Sequence, residues 1–289
     1  MIITNKFNLP ESLVKAVSTD KHNKDGCISA TTLLKGVKEI LLTERHWDEL
    51  TDDVSDRLWA LFGTAVHKLL EEANPNAFTE EHFEKLIETE NGSVTVTGQV
   101  DLYDMENKIV TDYKTASVWK VVFKSFDDWK RQGEIYAWLM KENGLEVKKC
   151  RFIAMMRDWS VGEAERKPDY PQSQVHIFEF DIGEKELEEG KCLAYEKANA
   201  VLQANKLSDD EVPPCSSEER WEKATTWAVK KEGRKTALKV CDTQKDAEVF
   251  LKGVDKGFIE ERKGECGKCK RYCICKDFCN FYKENVKEK

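Results

Sequence analysis

The chain has 289 residues, 40% of them hydrophobic, with 8 Trp and 13 Phe, enough to bury one large core or one core plus a small appended module. Its formal net charge of −8 argues against a protein that coats nucleic acid over its whole surface, because phosphate contacts need local Lys and Arg. Met1 to Val17 mixes Asn, Lys, Pro and Glu among its apolar residues, unlike a signal peptide, and no later segment reaches membrane-spanning length, so a soluble cytoplasmic chain with no membrane partner is expected.

From Ile28 to Trp47 the apolar residues Leu33, Leu34, Val37, Ile40 and Leu41 recur at helical spacing behind Ser29, a residue type that caps helices. A second helix is predicted from about Ser55 to Glu72, with a broad apolar face and Asn74-Pro75-Asn76 to stop it. The period then changes to two between Ser93 and Lys114, with a Met105-Glu-Asn-Lys turn in the middle, which predicts a hairpin. Ser125 opens another helix, with Asp127 and Asp128 in its first turn and Gly144 past its end, where acidic groups and glycine respectively suit the helix dipole and the C-terminal turn. Cys150 to Arg157 and Val175 to Phe180 read as two more strands, and Glu184 to Lys206 as a helix. Pro213-Pro214 is the clearest boundary. Beyond it the sequence predicts a basic helical stretch from Ser216 to about Val229, a helix start at Ala247 to Lys252, and a cysteine-rich tail.

Asp112 and Lys114 stand two apart on a predicted strand, so they share a face while Tyr113 turns to the other. Asp101 ends the partner strand of the hairpin, where cross-strand proximity brings its carboxylate toward Asp112. Two hard oxygen ligands, with waters and a phosphate oxygen, are what Mg²⁺ or Mn²⁺ accepts, and Lys114 can orient a water or stabilise developing charge. Alone, Asp-x-Lys is most often a surface pair on an exposed strand, so the neighbouring elements have to carry the reading. Gly63, His67 and Glu71 are spaced by one helical turn, so His67 can serve as a metal ligand or as a hydrogen-bonded core histidine. Gln132 and Tyr136 share a face of the helix after the hairpin, able to hydrogen-bond a nucleotide backbone or the catalytic lysine, or to form an ordinary half-buried stripe.

Taken in series, G-x-x-x-H (Gly63 to His67), G-x-x-D (Gly98 to Asp101), D-x-K (Asp112 to Lys114) and Q-x-x-x-Y (Gln132 to Tyr136) resemble the RecB-type, CRISPR-adaptation-exonuclease-like branch of the PD-(D/E)XK nucleases, over about Ile28 to Phe180. The resemblance implies an α/β (α+β) fold, with a mixed central sheet flanked by helices in a restriction-endonuclease-like core. It also implies a metal site from His67, Asp101, Asp112 and the Tyr113 carbonyl, Lys114 as catalytic lysine, and Gln132 with Tyr136 supporting the DNA side. The expected activity is hydrolysis of phosphodiester bonds in DNA.

Of ten cysteines, Cys266, Cys269, Cys273, Cys275 and Cys279 crowd into the tail. In a reducing compartment these thiols point to metal or to plain burial rather than to disulfides. They offer more thiolates than the four that a Zn²⁺ ion or an iron-sulfur cluster needs, so zinc, a cluster and unligated thiols all stay open. Relatives of this branch resemble one another in pinning the tail with an iron-sulfur cluster that uses one upstream cysteine, the position for which Cys27 is the candidate. Between Arg220 and Lys239, seven basic residues face only Glu222 and Glu232, a local balance of +5. Trp221, Lys230, Lys231, Arg234 and Lys235 within it are candidates for tracking a single strand, phosphates on the cations and bases on indole. The alternative is a solvated helix whose tryptophans are core.

The sequence therefore predicts a nuclease core over 1–210 and a basic helical extension with a Cys-rich tail over 211–289. The leading function is a metal-dependent DNA exonuclease acting on single strands or duplex ends in replication, recombination or repair, the kind phages also encode, with recombination or replication proteins as candidate partners. A structure-specific endonuclease and a non-catalytic DNA-binding scaffold are the alternatives.

Overall fold

A single long strand, β5, organises the molecule, because the run Val94, Val96, Val100 and Tyr103 buries one side chain after another along it. The structure, a computed structural model, describes residues 1–17, 26–73 and 78–287, without the side chains of Glu71 and of residues 78–80. The expected helix stop at Asn74-Pro75-Asn76 and the side chain of Glu71 fall outside the described residues. In chain order the first elements are β1 (Ile2–Thr4), α1 (Glu11–Val17), β2 (Cys27–Ser29), α2 (Ala30–Leu33), α3 (Val37–Arg45), β3 (Thr51–Asp53) and α4 (Leu58–Glu72). The central part follows with β4 (Phe78–Thr89), β5 (Gly92–Asp104), β6 (Ile109–Ala116), α5 (Val118–Val122), α6 (Asp127–Glu142), β7 (Lys149–Met156), α7 (Val161–Arg166), β8 (Val175–Asp181) and α8 (Glu184–Ala204). The C-terminal part holds β9 (Glu222–Lys223), β10 (Thr226–Lys231), β11 (Lys239–Cys241), α9 (Gln244–Leu251), β12 (Gly257–Arg262), β13 (Glu265–Cys266), α10 (Gly267–Arg271) and α11 (Asn280–Asn285).

The main sheet is mixed, in the order β2-β5-β6-β7-β8, with β4 antiparallel to β5 along almost its whole length. The other edge of β5 is shared. Its first half pairs in parallel with β2 at Thr95 to Thr97, and its second half pairs antiparallel with β6 at Leu102 to Asp104. Residues 98–101 of β5 lie between the two pairings, and the functional cleft opens there. Helices α6 and α8 pack together on the sheet, α4 lies against β6 and β5, and the core gathers around Ile135, Leu139, Phe152, Val96 and Ala194. The α6 and α8 axes approach closely because Gly190 lacks a side chain: a Cβ there would sit 2.2 Å from the Glu134 carbonyl oxygen.

The mixed sheet flanked by helices is as expected, and several local readings are corrected. Ser29 does cap a helix, accepting from the Thr32 N–H, but the predicted helix from Ile28 to Trp47 is divided into β2, α2 and α3, with Gly36 at the N-cap of α3. A Cβ on Gly36 would come within 2.5 Å of Cys215 Sγ, so the break lets the C-terminal segment approach. The helix expected from Ser216 to Val229 is absent. Its later half is strand β10, because Trp227 and Val229 alternate onto one face and pack with Cys241, Ala247 and Leu251, a period-two pattern that overrides the helical reading. The C-terminal extension is therefore helical in α9, α10 and α11 and also carries a three-stranded antiparallel sheet, β11-β10-β12.

On both sides of Pro213-Pro214 the chain packs against α3. Lys38, almost fully buried, donates to the carbonyls of Asp209 and Val212, and Lys268 reaches Glu39 at 2.6 Å. Cys275 packs on Leu42 and Leu50, and the Phe278 ring stacks on His46 at 3.9 Å. Among the described residues no helix is long and apolar enough to cross a membrane.

Candidate active site

Asp101 and Asp112 lie on neighbouring strands one residue beyond the last β5–β6 pair, Leu102 with Thr111. The backbone ladder stops there, and the Asp101 carboxylate takes over as acceptor: its Oδ2 receives the Tyr113 N–H at 2.7 Å. Its Oδ1 is 3.1 Å from His67 Nδ1 on α4. This hydrogen bond outweighs the effect of burial and holds the His67 imidazole above its usual pKa.

Asp112 is almost fully buried. Burial raises its carboxyl, the nearby Lys114 ammonium lowers it, Asp101 raises it again, and the balance stands at about 6. Lys114 Nζ lies 2.7 Å from Asp112 Oδ1. The contact is ionic without the alignment of a hydrogen bond, which leaves Oδ1 buried with no hydrogen-bond donor. The other oxygen, Oδ2, accepts from Gln132 Nε2 at 3.2 Å, and the same amide donates to Tyr136 Oη at 2.7 Å. Gln132 and Tyr136 are themselves only 3% and 5% exposed, so this pair holds Asp112 from behind. Sequence spacing placed them on the site but left open what they bond. Gly98 permits the arrangement, since a Cβ there would meet Tyr136 and Leu139 at 3.1 and 2.8 Å.

These residues line one cleft of about 730 Å³, with Gly63, Thr64 and Lys68 of α4 on one wall. Sequence reading missed several others in it: Ser29 to Thr31 at the start of α2, and His82, Thr97 and Gln99 from β4 and β5. The signal for the last three was the pairing of β4 with β5, which no expectation included.

Among the described residues no three His, Cys, Asp or Glu side chains form a ready metal cage. Mg²⁺ does not need one, because it keeps several waters and takes one or two carboxylates plus substrate phosphate. Asp101 and Asp112 fit that demand: two carboxylates on adjacent strands that line the same cleft, Asp112 almost fully buried and facing the Lys114 ammonium. The tail thiols fit less well. Cys215, Cys269, Cys273, Cys275 and Cys279 surround one small cavity beside Glu39, with the Cys273 and Cys275 sulfurs 3.6 Å apart, but no three of them are set to hold a metal. Cys27 sits on β2 and does not line that cavity, whereas Cys215, which the sequence gave no reason to single out, does. Cys266 lies on β13, outside it.

The basic candidates separate in space. Trp227 belongs to the core of the small sheet. Trp221, at a positive φ of 52°, is 54% exposed against Tyr272 and Lys268. Lys230 pairs with Glu260, and Lys231, Arg234 and Lys235 are exposed around the β10–β11 connection.

A family model described as the PD-(D/E)XK nuclease superfamily matches residues 29–280. No curated protein matches the chain. Among solved structures, the protein SSO0001 is similar at 19% identity and a TM-score of 0.45, over 64% of this chain and 80% of its own. A phage-related exonuclease from Haemophilus somnus 129PT is similar at 15% identity and a TM-score of 0.35, over 66% and 92%. The match spans both strands of the hairpin, α4, α6 and the tail, so the chain belongs to the PD-(D/E)XK nuclease superfamily.

Proposed function

We propose that the protein is a divalent-metal-dependent DNA exonuclease, acting in the cytoplasm on single strands or duplex ends during replication, recombination or repair. The observation that carries this reading is the meeting of Asp101, Asp112 and Lys114 at the one interruption of the β5 edge, on the wall of a cleft. Asp101 and Asp112, with the Tyr113 carbonyl and His67, would hold Mg²⁺ or Mn²⁺. When bound, that cation supplies Lewis-acid polarisation of the scissile phosphate and offsets its developing charge.

The chain's own residues do the rest. Lys114 presents an ammonium toward the same cleft, placed to orient the attacking water and to stabilise charge on the phosphate. Gln132, held by Tyr136, fixes the Asp112 carboxylate so that its other oxygen faces Lys114. His67 and the Tyr113 N–H fix Asp101 in the same way. In this reading 1–210 is the catalytic core, and 211–289 braces α3 and contributes exposed cations toward DNA.

Exonuclease and endonuclease predict different substrates. With Mg²⁺ or Mn²⁺ the protein should degrade end-labelled linear single strands and leave closed circular single strands intact. Cutting of circles would make it an endonuclease, and cutting of neither would favour a DNA-binding scaffold.

A further inference from the structure

Helix α4 has an unusual environment. Its sequence is largely apolar, yet none of its described side chains is buried. Its inner side, with Gly63, Thr64 and His67, lines the cleft, and a Cβ added at Gly63 would lie 3.5 Å from Thr115 Oγ1 on β6. One turn earlier, Trp59 and Phe62 stand 52% and 56% exposed, with ring centroids 5.6 Å apart. The Arg157 guanidinium covers Trp59 at 4.8 Å. Arg157 itself is tied to the end of β6, since its N–H donates to the Ala116 carbonyl at 3.0 Å.

A second aromatic pair begins where β6 ends. Trp119 on α5 and Phe123 just past its end are 52% and 72% exposed and stack at 5.8 Å with an interplanar angle of 25°. Their helix is fixed by Asp158, which accepts from the Ser117 hydroxyl at 2.7 Å and the Val118 N–H at 2.6 Å. The strand that carries Asp112 and Lys114 thus runs straight into one exposed aromatic pair, and Arg157 ties its end to the other.

We propose that Trp59, Phe62, Trp119 and Phe123 form a stacking platform for the unpaired bases of a DNA strand on its way to Lys114 and Asp112. The proposal rests on the nuclease reading and narrows its substrate to single strands. Large apolar rings left more than half exposed cost solvation, and flat rings with a cation beside them match a chain of bases joined by phosphates. The cations are Arg157 and the exposed Lys124 next to Phe123. Trp59 and Phe62 share α4 with the cleft-lining Gly63, Thr64 and His67, and Trp119 and Phe123 follow directly on the strand that carries Asp112 and Lys114.

The test uses full-length protein carrying Asp112→Asn, with chelator present, so that binding is read without cleavage. Binding of an oligothymidylate of about fifteen nucleotides should weaken roughly five- to hundredfold on adding Trp119→Ala or Trp59→Ala. Trp119→Phe should restore most of it. Affinity for a blunt duplex should change by less than about threefold. Unchanged single-strand affinity in Trp59→Ala, Phe62→Ala, Trp119→Ala and Phe123→Ala proteins would overturn the proposal, as would an oligomer of the parent that Trp59→Ala disperses, which would make the rim a contact between copies. If the single substitutions leave KM for single strands unchanged in an actively cutting protein, only the platform falls. If the parent neither cuts nor binds DNA, the nuclease reading falls with it.

Discussion

Replacing Asp112 with Asn should abolish activity and stabilise the metal-free protein in the same step. The activity loss is expected to be about a thousandfold, since one of the two carboxylates that would hold the cation loses its charge. The stability gain follows from burial. Asp112 is ionised at pH 3.8 in its ordinary state and at about 6 here, raised first by desolvation, with Lys114 opposing and Asp101 adding to the shift. Between these values the folded chain holds a proton that the unfolded chain has lost. Stability of the metal-free protein therefore falls as pH rises from about 4 to about 6, by a total of about 3 kcal/mol, and stays low above that. Asn carries no such penalty, so near pH 7.5 the metal-free variant should melt roughly 5–10 °C higher than wild type. Mg²⁺ should raise the melting temperature of the wild type, by binding the folded state only, and leave the variant nearly unmoved. Thermal melts in chelator at several pH values check the sign. A variant that melts below the wild type at pH 7.5 contradicts it.

Gly190→Ala should be strongly destabilising. Its Cβ would sit 2.2 Å from the Glu134 carbonyl oxygen and 3.0 Å from the Ile135 nitrogen, both backbone atoms of α6 with no rotamer to yield. Helices α6 and α8 must then separate along their buried seam, at a cost of about 3 kcal/mol or more. Activity should fall with stability, because α6 also carries Gln132 and Tyr136, whose hydrogen bonds hold Asp112. Gly162→Ala on α7 is the control. The nearest neighbour to its Cβ is Arg166 at 3.8 Å, and alanine is the better helix former, so it should melt at or slightly above the wild type. Equal melting of the two variants would contradict this account of the α6–α8 seam.

The hairpin and its two carboxylates were legible in the sequence because period-two alternation and a four-residue turn are local signals, and one turn fixes the register that brings Asp101 opposite Asp112. Helix α6 was legible for the same reason, its polar pair lying within a single face. Strand β4 was not legible. Glu81 and Lys85 stand at the inner-face positions beside Phe83 and Ile87, and Leu86 is exposed on the outer face, so the alternation is broken on both sides. Strand β2 was hidden because three residues before a helix cap carry almost no periodicity. The role of Cys215 depends on a contact across more than fifty residues, from the Pro213-Pro214 segment to the tail, and no local pattern encodes that. Trp227 shows the opposite failure: a basic stretch read at helical period, where Thr226 to Lys231 alternates as a strand.

The central claim is that Asp101, Asp112 and Lys114 hydrolyse phosphodiester bonds with a divalent cation. The most direct measurement is release of nucleotides from end-labelled single-stranded DNA by wild type and Lys114→Ala, each with Mg²⁺ and with chelator. Lys114 is partly exposed and its ion-pair partner is Asp112, so its removal should leave the chain folded. The account predicts Mg²⁺-dependent release by the wild type and a loss of about a hundredfold or more in the folded variant. Equal release by Lys114→Ala, or release that chelator does not suppress, would place the chemistry elsewhere.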